Sequence, residues 1–278
     1  MKKKLVYINL FLVQMTLLSF YGCDMFTTKE TESVNDDTAS AQSEANKALT
    51  YELTTYKKQS ALCAKENGNC TEVVVQYPFF SNSGAMYINT TIETQLKNTL
   101  YSVISEEKSP NISVEKMTEL IISDYNDYVE EYDDSTEKWD IDVSVVTTYQ
   151  KGNLVSLSFS SEYYTGGAHP NSSIEYKILD IKKKQLLGLE DIVSDRKKLT
   201  ATAEKLFRKQ KNLTQNINLQ EEGYFFENGK FTINENIGLN QNGLVIYFNS
   251  YEIAPYAMGP SAVFIPFYEI KEILKISY

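Results

Sequence analysis

The chain has 278 residues, 42% apolar and 23% charged, enough for one ordinary domain or two small ones with a real hydrophobic core. Acidic residues outnumber basic ones 37 to 27, and a net charge of −10 argues against nucleic acid as a partner, since that binding rests on Lys and Arg neutralising phosphates. The single histidine, His169, excludes multi-histidine metal sites and any scheme needing two imidazoles; no metal and no cofactor is expected.

Met1-Lys2-Lys3-Lys4 precedes an uncharged, mostly apolar run from Leu5 to Phe20, the pattern of a secretory signal. The run is shorter than the roughly 20 residues of a spanning helix. It ends in Phe20-Tyr21-Gly22-Cys23, which resembles a bacterial lipobox, whose Cys becomes the lipidated first residue of the mature protein. Phe20 and Tyr21 stand where that pattern prefers Leu and a small residue, so a plain signal peptide with an incidental Cys23 stays open. Removing residues 1–22 takes away three lysines and no acid, leaving 24 basic residues against 37 acidic, a balance of −13. The Thr-, Ser- and acid-rich stretch that follows offers little to bury and reads as a flexible acidic tether over 23–50. With Cys23 assigned to lipid, Cys63 and Cys70 flank an Asn-Gly centre that makes a tight reversal easy. In an exported protein the pair is expected to form a disulfide, the alternative being two free thiols.

Thr71 to Phe79 is β-branched and aromatic and predicts a strand. Ile88, Ile92, Leu96, Leu100 and Ile104 recur at spacing four and predict a helix starting near Asn89-Thr90. Ser113 to Tyr132 predicts a second helix, with an acidic far end. Trp139–Gln150 and Leu154–Tyr164 alternate around Lys151-Gly152-Asn153 and predict a long hairpin, followed by a strand over Ser172–Asp180 and a turn at Lys182–Gln185. A basic helix follows from Asp195 to about Asn212, then strands over Gly243–Asn249 and Ser261–Pro266 and a short helix over Tyr268–Ile276. Without regular strand–helix alternation the expected class is α+β, two abutting modules of mixed, mainly antiparallel sheet with packed helices, divided as 51–170 and 171–278.

Two strings stand out: Tyr163-Tyr164-Thr165-Gly166-Gly167-Ala168-His169-Pro170, and Ser250-Tyr251-Glu252-Ile253-Ala254-Pro255-Tyr256-Ala257-Met258-Gly259-Pro260. Together, over roughly residues 70–276, they resemble a pair of bacterial extracytoplasmic modules of unknown function (DUF4163 and DUF3298). That pair is found in the lysozyme-sensing anti-sigma factor of Bacillus and in front of the catalytic domain of some peptidoglycan deacetylases. The chain departs from both: residues 1–50 offer no cytoplasmic sigma-binding segment with a spanning helix, and the chain has neither the length nor the histidines of the metal-dependent catalytic domain. The resemblance therefore implies a non-catalytic binding protein of the cell envelope, held to a membrane through a lipid on Cys23, with lysozyme-like proteins or peptidoglycan as ligands.

The candidate ligand-binding residues are Tyr163, Tyr164 and His169 in the first string and Tyr251, Glu252, Tyr256 and Met258 in the second. Rigid aromatic loops lose little freedom on binding. The competing reading makes both strings structural corners, with His169 bonded to nearby backbone and Tyr251, Ile253 and Tyr256 packed as core. The acidic run from Glu130 through Asp140 and Asp142 is either a solvated helix end or a surface that steers a cationic protein. No catalytic residue is assigned. The rival classes are a glycan hydrolase using paired carboxylates, which geometry alone would select, and a structural envelope lipoprotein.

Overall fold

The computed structural model describes residues 49–64, 70–81, 85–105, 107–132 and 137–278. The expected signal, Cys23, most of the tether, the Asn67-Gly68 centre and part of the acidic run lie outside these residues. The fold is α+β, with a six-stranded, mainly antiparallel sheet and a second sheet of three strands.

In chain order, β1 (Tyr51–Gln59), β2 (Glu72–Phe80), β3 (Asp140–Lys151), β4 (Leu154–Tyr164), β5 (Asn171–Asp180) and β6 (Gln185–Leu187) are also neighbours in space, and only β2 and β3 pair in parallel. The sheet therefore runs through the 170/171 position at which the modules were divided. The parallel step follows from the crossover between those strands, which carries α1 (Ala85–Tyr101) and α2 (Val114–Glu131). Strand alternation puts Val73, Val75, Ile141, Val143, Leu157 and Phe159 on the face these helices cover. The spacing-four stripe is fully buried there from Ile88 to Leu100, but its expected fifth residue, Ile104, lies past the helix end at Tyr101 in a turn, half-buried. Ser113 caps α2 as expected, its hydroxyl accepting from the Lys116 N–H at 3.1 Å. The Cys63–Cys70 disulfide is formed just before β2.

The opposite face carries a second core. A bulge between Thr147 and Tyr149 inserts one residue into β3 and turns Tyr149 away from the helices, so that it pairs with Ser156 and joins Ile178 on the other side. Here pack β7 (Ile237–Asn240), β8 (Gly243–Phe248) and β9 (Ser261–Pro266), with α3 (Leu189–Ile192), α4 (Arg196–Gln210) and α5 (Phe267–Ile270). Phe207 of α4 centres an aromatic group, its ring 5.0, 5.9 and 5.1 Å from those of Tyr224, Phe226 and Phe231.

Three expectations need correction. α1 starts at Ala85, because Asn89 is spent elsewhere: its side-chain amide accepts from the Phe80 N–H at 3.0 Å and donates to the Phe80 carbonyl at 2.9 Å. The final helix stops at Ile270: 271–273 form a turn closed by the Ile273 N–H on the Ile270 carbonyl, after which Leu274 bridges Val193 and the Lys275 N–H donates to the Ile192 carbonyl. Strands β1, β6 and β7 are additions to the expected set.

The two cores meet along β5. Its edge beyond β4 is covered by β6 only at Ile178–Asp180, and the backbone groups of Ile174 and Tyr176 are taken by asparagine side chains. Asn249 accepts from the Ile174 N–H at 2.8 Å and donates to its carbonyl at 3.2 Å. Asn236 accepts from the Tyr176 N–H at 2.9 Å and donates to the same Ile174 carbonyl at 2.7 Å. Gly238 lies against the Tyr176 ring with no room for a Cβ, and the Leu239 N–H donates to the Ser156 hydroxyl at 3.0 Å. Removing one partner of such buried bonds strands the other, so Asn236→Ala should cost about 1–3 kcal/mol. Equilibrium urea unfolding checks this, and a loss below a few tenths of a kcal/mol would mean that water replaces the amide freely.

Candidate functional site

At the β4–β5 corner the chain turns through Gly166 and Gly167, both at φ +103°, a region that costs glycine little. The Tyr164 hydroxyl donates to the Gly167 carbonyl at 2.9 Å and closes the loop. Pro170 follows His169 and keeps it out of helical conformation. The second loop rises from β8, fixed at its root by Asn249. Glu252 is a brace in this loop: one carboxylate oxygen accepts from the Asn249 N–H at 2.8 Å, the other from the Asn234 amide at 2.5 Å.

The two strings converge. The His169 and Tyr256 rings stack at 3.7 Å with an 11° angle between planes. His169 Nε2 lies 3.0 Å from the Tyr251 hydroxyl and Nδ1 lies 3.0 Å from the Pro170 carbonyl, so both ring nitrogens are engaged. The Tyr256 hydroxyl donates to that same Pro170 carbonyl at 3.0 Å. Tyr251 sits at φ +68°, a conformation costly for a bulky side chain, and keeps 57% of its surface exposed. A side chain held in this region costs on the order of 1–3 kcal/mol. Tyr251 and Tyr256 are thus not core, and the corner is both structural and open. Met258 is part of the same loop, 40% exposed.

Tyr163 lies between two clefts at this end of the six-stranded sheet. One, of about 450 Å³, is walled by Gln95, Asn98 and Thr99 of α1 and by Asn171, Ser172 and Ser250, amides and hydroxyls joined by the Glu175 carboxylate. The other, of about 360 Å³, is lined by Tyr163, Tyr164 and four carboxylates: Glu72, Asp140, Asp142 and Glu162. Asp142 and Glu162 are direct cross-strand partners, a like-charge pairing that costs stability. Hydrogen bonds from Lys57 and Gln59 hold the Glu72 carboxyl below the usual carboxylate range. Glu72 and Glu162 were not among the sequence candidates. Their only local signal is an acid at an outward position of an alternating strand, which is common on any solvated sheet. Among the described residues no group of three or more His, Cys, Asp or Glu side chains could hold a metal ion.

Comparison with known proteins divides the chain in the same way as the two strings. Residues 64–172 match the family described as Deacetylase PdaC, and residues 190–268 match a protein family of unknown function, DUF3298. A curated relative, the peptidoglycan-N-acetylmuramic acid deacetylase PdaC of Bacillus subtilis, is 22% identical over 184 residues, covering 64% of this chain but only 38% of the relative. Crystal structures of DUF3298 family members share the fold. One from Bacteroides fragilis has TM-score 0.67 at 21% identity, and one from Pseudomonas aeruginosa has TM-score 0.60 at 19% identity. Each pairing covers 83% of this chain and 96% of the other.

If Tyr251 is strained, Tyr251→Gly should be more stable than Tyr251→Ala by about 1 kcal/mol, since both lose the ring but only Gly relaxes the backbone. Denaturant midpoints decide it, and the reverse order would remove the strain. The pairing that depresses Glu72 stabilises the fold at neutral pH, and that contribution is lost as pH falls through the lowered value. In an NMR titration of the carboxyls, Lys57→Met should move Glu72 back up toward the ordinary range. His169 and the first string fall within the first matched region, Tyr251 and Tyr256 within the second: the chain has a region similar to Deacetylase PdaC followed by a region similar to DUF3298.

Proposed function

We propose that the protein is an exported, lipid-anchored binding protein of the bacterial cell envelope, that it catalyses nothing, and that its ligand is peptidoglycan, recognised at the His169–Tyr251–Tyr256 corner. The convergence of the two loops on one aromatic surface carries this reading. Aromatic plates cover the apolar faces of sugar rings, and the amides and hydroxyls of the adjoining cleft suit their hydroxyl and acetamido groups. The name of the Bacillus subtilis relative ties that protein to N-acetylmuramic acid in peptidoglycan, although the chain spans 38% of its length. Export and anchoring rest on the cationic start, the apolar run and Cys23. A non-catalytic role is favoured by His169, whose two nitrogens are taken by the loops' own atoms.

A second ligand class has its own observation. The carboxylate-lined cleft beside the corner sets Asp142 against Glu162 across two strands and would attract a cationic protein, which is the chemistry of lysozyme and matches the resemblance to the lysozyme-sensing modules.

Calorimetry with soluble peptidoglycan fragments and with hen lysozyme separates these. Fragment binding that weakens about tenfold or more in Tyr256→Ala, roughly 1.4 kcal/mol, with the circular dichroism spectrum unchanged, supports the glycan reading. Loss on Asp142→Asn/Glu162→Gln with lysozyme supports the second. No heat with either at high micromolar concentration overturns both, and release of shortened glycan would establish the hydrolase instead.

A further inference from the structure

The end of the six-stranded sheet opposite the ligand corner has its own chemistry. β2 runs from Glu72, in the acidic cleft, to Phe79 and Phe80, a span of about 26 Å over eight residues. At that far end β1 begins, with Tyr51 opposite Phe80 and Leu53 opposite Pro78. Asn89, bonded to the Phe80 backbone, brings the first turn of α1 and Met86 to the same place. Met86 is 83% exposed, Leu53 63%, Tyr51 48% and Phe79 47%. Tyr51 and Leu53 lie on one face of the sheet and Phe79 on the other, so apolar side chains are open to solvent on both sides of this end.

The same end carries cations. The β3–β4 turn begins at Lys151, the β5–β6 turn is Lys182-Lys183-Lys184, and the Ile181 N–H donates to the Asn153 carbonyl at 2.9 Å, which sets the two turns side by side. All four lysines are exposed. Asp180 caps the N–H groups of Lys182 and Lys183 and lies 3.6 Å from the Lys183 ammonium. The two ends thus differ in charge: four carboxylates line the cleft at the ligand end, with Lys57 on Glu72 and Lys138 on Asp140, and four exposed lysines stand at the other.

We propose that this apolar and lysine-bearing end docks on an anionic phospholipid bilayer and holds the ligand corner away from it. Tyr, Phe, Met and Leu enter the headgroup boundary, and lysines beside them are drawn to anionic lipid. The four carboxylates of the far cleft are repelled by such a surface, which fixes the orientation. The chain enters the fold at this end, since Leu49 and Thr50 lead directly into β1, and Cys23 lies 26 residues before Leu49. An anchor there would keep the docking end beside the membrane, so weak contacts suffice. The choice of membrane as partner rests on that anchoring reading.

The test uses the full chain with Met86→Cys or Met258→Cys carrying an environment-sensitive dye, on phosphatidylcholine vesicles with and without phosphatidylglycerol and a spin-labelled quenching lipid. Quenching should be severalfold greater at position 86 than at 258, and should grow with phosphatidylglycerol. It should fall severalfold in high salt, in Lys182→Glu/Lys183→Glu/Lys184→Glu and in Leu53→Asp. Equal quenching at both ends, indifference to both variants, or crosslinking of position 86 to a second copy would overturn the proposal. The intact mass of the mature chain reports separately on a lipid at Cys23. If none is present the anchoring reading falls, while the same quenching comparison, with protein added to preformed vesicles, still decides whether this end meets lipid.

Discussion

An open strand edge is the constraint on which the arrangement turns. Beyond the short β6, β5 has backbone groups at Ile174 and Tyr176 that no neighbouring strand pairs. Two asparagines resolve this by presenting an amide with the donor and acceptor of a peptide group, so each side chain stands in for a residue of a missing strand. The bonds are directional, and they fix the second core against the first in one register. Asn249 is also the root of the loop that carries Tyr251 and Tyr256. The contact that seals a sheet edge thereby sets the height of the aromatic corner over Pro170.

Much of the fold was legible because it is written in short periods. The stripe from Ile88 to Leu100 and the alternation on either side of Gly152 need only a window of a dozen residues, and both elements stand where the periods put them. β1 was missed because Tyr51–Gln59 has polar residues on both faces and lies at the sheet's edge, where one buried face is not required. Asn89 looked like a cap because a cap is what asparagine does locally. Its use on Phe80, nine residues away, is a tertiary event with no sequence period. Asn236 and Asn249 are the same case at longer range, which is why the joint between the two cores was invisible.

The corner was half legible. Two unusual strings singled out His169, Tyr251 and Tyr256, but a choice between packed corner and binding surface depends on how the strings meet. They meet in a way that satisfies both descriptions: hydrogen bonds and a ring stack lock the loops, while Tyr251 remains largely exposed. Glu252 moved in the other direction, from a possible contact to a brace whose two oxygens are occupied. The acidic cleft draws Asp140 and Asp142 from the run noted in the sequence and adds Glu72 and Glu162 from other strands, a grouping that only pairing register could assemble.

His169 is the only histidine in 278 residues, and it sits on the seam between the two matched regions. Its ring proton resonances in a one-dimensional spectrum therefore belong to one known place without isotopic assignment. The Tyr256 ring stacked on it would shift those resonances strongly while the loops are joined. Opening of the corner, by a ligand or by heat, is thus written in a single pair of lines, separable from the melting of the core around the lone Trp139, which is buried against Tyr125 and Tyr128 and reports by fluorescence. The single histidine and the single tryptophan thus give the loop corner and the helix-covered core separate spectroscopic reporters.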